Sequence, residues 1–432
     1  MPGVHPGRGI LLACEASDGP KAVSAGKRCG PRYGLRTGGA RRDDAEDPGR
    51  RPGQRRRLAG RARGLCARAR QGSPGRAACR LASPAGARRD RAPSARDGPR
   101  PRADARARKR PAQAGGARGR GGLLGARAEE IALTDSTTMG IALVYHGLGL
   151  AEDDEVLTTE HDYYATHAAL RLAAERSGAS VRSVRLHERP EAARAESMVE
   201  RLMRGITPRT RALGRRRQPK ARPIRGILVC LDGVHGFGVE DFEVQELGCD
   251  FFMAGCHKWL FGPRGTGIVW GREGAWARLS PTIPSFMDGE SWNAWALERE
   301  PEGTTDATRM SPGGFKPFEH QWAMAEAFRF HEAIGKPQVA KRTHELSRQI
   351  KEGLAKMAHV RLYTPMDDAL SAGIVCFGVN GISARRVVER LAENSIVATT
   401  TPYRESYPRF SPCVYNTRED VDAALRQVRA LA

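Results

Sequence analysis

The sequence predicts an α/β protein, a large domain built on a mostly parallel sheet followed by a small C-terminal α+β domain. Three observations carry that expectation. From residue 121 onward, short apolar strands alternate with helices of 10–15 residues, the pattern of βαβ units whose helices cover both faces of a sheet. The charge balance isolates this region: residues 1–120 hold 31 of the 71 Lys and Arg and 9 of the 49 Asp and Glu, so the whole net charge of +22 lies there and residues 121–432 sum to zero. A neutral segment of that length can bury one large and one small core. Beyond residue 318, two long amphipathic helices precede short strands and helices, and this change of character marks the second domain. The expected organisation is a disordered Arg/Gly/Pro/Ala-rich tract over 1–120, a large domain over 121–317 truncated near 214–226, and linking helices with the small domain over 318–432.

Each element has a local signal. Asp135-Ser136-Thr137-Thr138 is a hydroxyl-rich cap leading into an apolar helix over Met139–Leu148. A strand over Glu155–Thr159, a helix over Tyr163–Ser177, a strand over Ser180–Leu186, a helix near Ala195–Gly205 and a strand over Thr210–Leu213 follow. The basic stretch Gly214–Pro223 then interrupts the pattern, which resumes with a strand over Ile227–Asp232, a short helix around Asp241–Leu247, and strands over Asp250–Ala254 and Gly267–Trp270. Helices over Phe318–Ile334 and Gln338–Met357 precede strands at Val360–Tyr363, Gly373–Val379 and Ile396–Thr400, with helices at Ala384–Asn394 and Arg418–Leu431. In sheets of this kind ligands sit where strands end and helices begin.

The first 120 residues contain one aromatic residue, Tyr33, and one isoleucine, Ile10. Such a segment buries too little apolar surface to offset its chain entropy. Arg50-Arg51 and Arg55-Arg56-Arg57 open a second class of function, a nucleic-acid binder acting through phosphate neutralisation, but no interleaved aromatic residue offers a stacking platform. Nucleic acid is therefore the weaker reading. Arg, Ala, Gly and Pro also have the most GC-rich codons, so an out-of-frame reading of a GC-rich gene would give the same composition. The apolar stretch Ile10–Ala13 is too short for a secretory signal, and no run of 18 apolar residues offers a membrane span. Nine scattered cysteines, without C-x-x-C pairs or His at zinc spacing, point to a reducing, cytoplasmic compartment and no metal site.

The most informative stretch is Leu231-Asp232-Gly233-Val234-His235-Gly236, followed by His257-Lys258-Trp259-Leu260-Phe261-Gly262. A carboxylate ending one strand and a lysine just past the next would converge at one edge of the sheet. One chemistry needs that pair: a pyridoxal phosphate enzyme requires a lysine amine for its Schiff base and a carboxylate that keeps the pyridine nitrogen protonated. The phosphate needs donors, and a helix N-terminus at Ser136-Thr137-Thr138 can supply them through backbone N–H groups and hydroxyls.

In order and spacing these motifs resemble the class V aminotransferase family of fold-type I pyridoxal phosphate enzymes, particularly its isopenicillin N epimerase-like branch. The resemblance runs from about residue 122 to the end. It implies that Lys258 is the Schiff-base lysine and the base that moves the α-proton, and that Asp232 is the pyridinium partner. It implies that His235 approaches the cofactor's ring oxygen and that His257 faces cofactor and phosphate. By the same resemblance Thr137, Thr138 and Ser136 contact the phosphate, and Tyr163 stacks over the pyridine. In the small domain, Arg409-Phe410-Ser411 with Tyr415-Asn416-Thr417 resembles the family's Arg-x-Ser…Tyr-Asn-Thr segment, whose arginine binds the substrate carboxylate.

The implied activity is epimerase, aminotransferase or lyase chemistry on an amino-acid-like substrate, carried out by a homodimer with pyridoxal 5'-phosphate as cofactor. Family desulfurases carry a nucleophilic thiol on a loop before the arginine, whereas Val397–Pro408 holds no cysteine; Cys376 and Cys413 read as packing residues. The chain departs from the family in its N-terminal tract, in the short span between Leu213 and Ile227, and at Cys256, where relatives often offer a hydroxyl. Those departures support an alternative, a catalytically impaired remnant of such an enzyme.

Overall fold

The computed structural model describes the backbone of Ile10–Leu11 and residues 122–216, 226–314 and 316–432. The rest of the 1–120 tract and residues 217–225, on which the expectations of disorder, basic binding and truncation fall, lie outside the described residues. Ile10–Leu11 pairs in parallel with Ile396–Val397.

Seven strands form the large sheet: β1 (Ile131–Thr134), β2 (Glu155–Thr159), β3 (Ser180–Val184), β4 (Thr210–Arg216), β5 (Leu228–Asp232), β6 (Phe251–Gly255) and β7 (Gly267–Gly271). Their order is β1-β7-β6-β5-β4-β2-β3, and only β7 runs antiparallel to its neighbours. Strands β2, β5, β6 and β7 are buried along their whole length, as expected of strands covered on both faces. Alternation sorts their side chains. Phe251, Met253 and Cys230 join a cluster with Ile141, Val144 and Tyr145, while Phe252, Ala254 and Leu231 join another with Phe237, Met324 and Phe328. Each fully buried Phe or Leu there contributes about 1.5–3 kcal/mol.

Helix α1 (Thr137–Gly147) lies close against this sheet because Gly140 has no side chain; a Cβ there would stand 2.9 Å from Val269 Cγ2. Helices α2 (Tyr164–Ser177), which ends on the left-handed Gly178, and α3 (Ala195–Arg204) cover β2 and β3. After β7 the chain forms α4 (Gly289–Ala296) and α5 (Ala307–Met310), then two long helices, α6 (Phe318–Ile334) and α7 (Lys336–Ala355).

The C-terminal α+β part holds β8 (Val360–Leu362), β9 (Val375–Val379), α8 (Ala384–Glu393), β10 (Ile396–Val397), β11 (Thr399–Thr400), β12 (Pro408–Phe410) and α9 (Arg418–Arg429). Its antiparallel sheet runs β11-β12-β9-β8. Val375, Phe377 and Val379 face a core with Leu346, Ile350 and Val421. The opposite face of β9 carries Cys376, which is half-buried and pairs with Arg409. The expectation that Cys376 packs in a core is thereby corrected: strand parity turns it to the other side.

Several boundaries differ for local reasons. The interruption expected after Leu213 is absent from the described residues, since β4 continues through Gly214, Arg215 and Arg216, paired with Cys230, Leu231 and Asp232. Helix α1 starts at Thr137 because Ser136 is its cap, its Oγ accepting from Met139 N at 3.1 Å. The helix expected around Asp241–Leu247 is a 3-10 turn over Val244–Leu247. β1, β12, α4 and α5 carry no periodic signal long enough to read.

Candidate active site

Every large-domain residue singled out from sequence lies at the carboxyl edge of the parallel strands. β1 leads into Ser136–Thr138, β2 into Tyr163, β5 ends at Asp232, and β6 leads into His257 and Lys258. The turn after β1 fits because Gly267 is bare; a Cβ there would stand 2.7 Å from Thr134 Oγ1 and 3.1 Å from Ser136 Cα. Gly255 does the same one strand over. A Cβ there would lie 3.0 Å from both Thr137 Oγ1 and His257 Cε1, so hydroxyl and imidazole flank the same bare backbone. Thr138 is exposed beside them.

Asp232 is buried at 9% exposure, and its Oδ1 accepts from Val234 N at 3.2 Å. Tight turns close the loop that carries Lys258: Phe261 N donates to Lys258 O at 3.0 Å and Gly262 N to Cys256 O at 2.8 Å. Phe261 takes a left-handed backbone, φ 59°, and its ring stacks on buried His331 of α6. A non-glycine residue in that region is costly and is held by its surroundings. His257 Nδ1 lies 3.4 Å from Thr266 O, a contact that requires the ring proton on Nδ1.

A narrow cleft is shared by the two domains, lined by His235, Lys258, Trp259, Ile374, Thr399, Arg409 and Ser411. Lys258, His235 and Arg409 thus share one space, whereas Asp232, His257, Tyr163 and Ser136–Thr138 are not among its lining residues. Arg409 is 5% exposed, and its Nε donates to Thr399 Oγ1 at 2.9 Å across the β11–β12 pair. Tyr163 caps α2 and meets Tyr403 edge-on at 6.2 Å, a second bridge to the C-terminal part. The residues present suit a flat phosphorylated ring: a helix N-terminus with hydroxyls and a carboxylate ending β5 lie along one sheet edge, and the lysine that follows β6 lines a cleft with a buried arginine.

The chain matches the family profile described as Aminotransferase class-V over residues 121–424. It belongs to the class-V aminotransferase family. Among its curated relatives, isopenicillin N epimerase of Streptomyces clavuligerus is 27% identical over 339 residues, covering 72% of this chain and 82% of the relative. A cysteine desulfurase of Klebsiella pneumoniae is 27% identical over 344 residues, covering 70% and 79%. Among solved structures, a cystine C-S lyase complexed with cysteine persulfide superposes with TM-score 0.67 at 20% identity, covering 76% of this chain and 88% of that one. Cysteine desulfurase from Thermococcus onnurineus superposes with TM-score 0.63 at 20% identity, covering 74% and 83%. The fold is therefore that of the fold-type I enzymes.

Sequence reading of this class-V chain missed several residues at the sheet edge and in the cleft. Tyr145 is fully buried on α1, and its hydroxyl sits over Gly214, where a Cβ would stand 2.4 Å away. Burial pushes its phenol well up, and the charges of Cys230, Asp162 and Asp232 add to the shift. Asp162 is itself fixed by Thr158 Oγ1 at 2.6 Å and Thr159 N at 2.9 Å. Lys316 reaches Asp135 at 3.4 Å, bringing a cation to the turn before α1. Thr399 and Trp259 are equally silent in sequence, since each acts on a partner far along the chain.

Proposed function

We propose that this chain is a pyridoxal 5'-phosphate-dependent enzyme that removes the α-proton of an amino-acid-like substrate, with epimerisation, amino transfer or β-elimination as the outcome. The observation that carries the reading is the shared cleft, where the amine of Lys258 and the guanidinium of Arg409 face one space at the carboxyl edge of the sheet. Pyridoxal 5'-phosphate, bound there, supplies a protonated pyridine that takes up the electron pair left by the departing proton.

The chain's own groups divide the remaining work. Asp232, buried at the end of β5, holds a proton on the ring nitrogen. The N–H groups and hydroxyls of Ser136, Thr137 and Thr138 at the N-terminus of α1, with His257, hold the phosphate. His235 would meet the ring oxygen, and Tyr163 would cover the ring face. Lys258 would hold the cofactor at its aldehyde carbon, the amine replacing the carbonyl oxygen, which leaves as water, and would carry the α-proton once the substrate amine has displaced it. Arg409 orients the substrate by two parallel hydrogen bonds to its carboxylate.

We also infer a homodimer. Phe286, Met287, Trp292, Trp295 and Leu297 are exposed on and around α4, with Trp295 at 75%, and so many large apolar side chains exposed on one short segment suit an interface. The compartment we assign is the cytoplasm, where the thiols of Cys230, Cys249, Cys256, Cys376 and Cys413 stay reduced. Among the described residues no helix is long and apolar enough to cross a membrane.

The test is chemical. Protein purified with pyridoxal 5'-phosphate is treated with borohydride and digested, and the modified peptide is located by mass spectrometry. Modification at Lys258, absent in Lys258→Ala, is expected. A folded chain that takes up no cofactor, or is modified at other lysines only, overturns the reading and leaves the impaired remnant.

A further inference from the structure

Trp259 follows the cleft lysine directly, is 2% exposed, and places its indole Nε1 at 3.3 Å from His235 Nδ1. An indole N–H donates and never accepts. His235 Nδ1 must therefore present a lone pair, which leaves the proton of the neutral imidazole on Nε2. A histidine free to choose its tautomer can offer a partner either a donor or an acceptor at Nε2; this one offers a donor there.

The other end of the same indole belongs to the C-terminal part. A Cβ built on Gly373 would stand 2.3 Å from Trp259 Cη2 and 2.7 Å from Cζ3, so the six-membered ring lies flush on bare backbone. The ring forms a small apolar cluster with Val239 and Cys413, with Ala372 and Ile374 packed against it. Cys413 follows Ser411 by two residues and Arg409 by four, and Ile374, Arg409 and Ser411 line the same cleft as His235. One side chain thus touches the proton-bearing histidine of the large domain and the segments flanking the buried arginine.

We propose that Trp259 is a positioning residue that fixes His235 as the Nε2–H tautomer and makes that choice depend on how the C-terminal part docks. The seating of a carboxylate at Arg409 and the donor offered by His235 are then coupled through the indole. The tautomer itself is a property of the chain; its catalytic use rests on the proposed function above.

Nitrogen-15 NMR of histidine-labelled full-length chain without cofactor reads the two ring nitrogens separately, with His235→Asn used to assign the signal. The native chain is expected to show a protonated Nε2 and an unprotonated Nδ1. Trp259→Phe keeps the ring against Gly373 and removes the N–H, and the Nε2–H to Nδ1–H ratio is expected to fall about fivefold, the factor that one net hydrogen bond carries. Gly373→Ala leaves His235 and Trp259 unchanged in sequence but forces the indole aside, and is expected to shift the ratio in the same direction. A native chain protonated at Nδ1, or an unchanged ratio in Trp259→Phe, overturns the assignment of the tautomer to Trp259. An unchanged ratio in Gly373→Ala overturns the coupling. None of these measurements needs cofactor, so their failure is distinct from failure of borohydride modification at Lys258.

Discussion

Thr399→Val separates the geometry of the arginine from its presence. In the native chain Arg409 Nε donates to Thr399 Oγ1 at 2.9 Å, and the arginine is 5% exposed, so water cannot replace the lost acceptor. Valine keeps the branched shape and suits the strand, so the β11–β12 pair survives. A hydrogen bond to a charged group contributes about 1.5–3 kcal/mol, which corresponds to roughly ten- to hundredfold in binding if all of it serves to aim the guanidinium. The assay compares amino acids with the corresponding amines that lack the carboxylate, each titrated against the cofactor-loaded protein by visible absorbance. Thr399→Val should weaken the amino acids by that factor and leave the amines unchanged, and Thr399→Ser should restore binding. Equal weakening of both classes would refute the reasoning, because the residue would then be shaping the cleft as a whole. Unchanged amino-acid binding would refute it as well, by showing that the guanidinium keeps its aim without Thr399.

Three further outcomes follow from packing and charge. Gly214→Ala drives a methyl into the Tyr145 hydroxyl, 2.4 Å from the ideal Cβ, and should cost about 1–3 kcal/mol of stability by urea denaturation; an unchanged midpoint would mean that α1 shifts freely. The hydrogen bond with Glu240 at 3.0 Å raises the His344 pKa above 6.5, so its contribution is fully present below that value and is lost as pH rises through the raised one. Burial, and then the neighbouring His161 imidazole, lower His187 to about 4, so its contribution is present above 6.5 and is lost as pH falls toward 4. Melting temperatures of His344→Gln and His187→Asn relative to native should therefore converge at opposite ends of the pH range, and convergence at the same end would contradict the contacts. Trp292→Ser with Trp295→Ser should turn a dimer into a monomer in sedimentation; a native chain already monomeric at micromolar concentration excludes α4 as the interface.

Strands β5, β6 and β7 are legible because burial on both faces makes them nearly continuous apolar runs, and the carboxyl ends of β5 and β6 place Asp232 and Lys258 at one edge without further information. β12 was not legible, since Pro408-Arg409-Phe410 is three residues with a charge in the middle and is a strand only because β9 and β11 flank it. β4 was read as ending too soon. Arg215 and Arg216 look like part of a solvated basic run, but pairing with Leu231 and Asp232 carries them into the sheet. Thr399 and Trp259 escaped for a different reason: their roles are set by single contacts to Arg409 and His235, 10 and 24 residues away in sequence. No local pattern encodes such a contact.

That difference in legibility follows a difference in mechanics. Asp232 and His257 hang from strands whose every residue is buried, and the turn before α1 from one in which only Leu133 is partly exposed, in a sheet with a core on each face. Arg409 hangs from a short, buried strand of the C-terminal sheet, flanked by β9 and β11, and the indole of Trp259 meets that part through only a handful of apolar side chains. Stability within a fold follows such differences in buried area, and the lightly buried contacts open first. The groups assigned to the cofactor are therefore set by the large sheet, while those assigned to the substrate are set by docking. A substitution on the docking side, at Gly373 or Thr399, should change which amines and acids bind while leaving cofactor uptake intact, and one beneath the sheet edge, at Gly255 or Gly267, should abolish uptake outright.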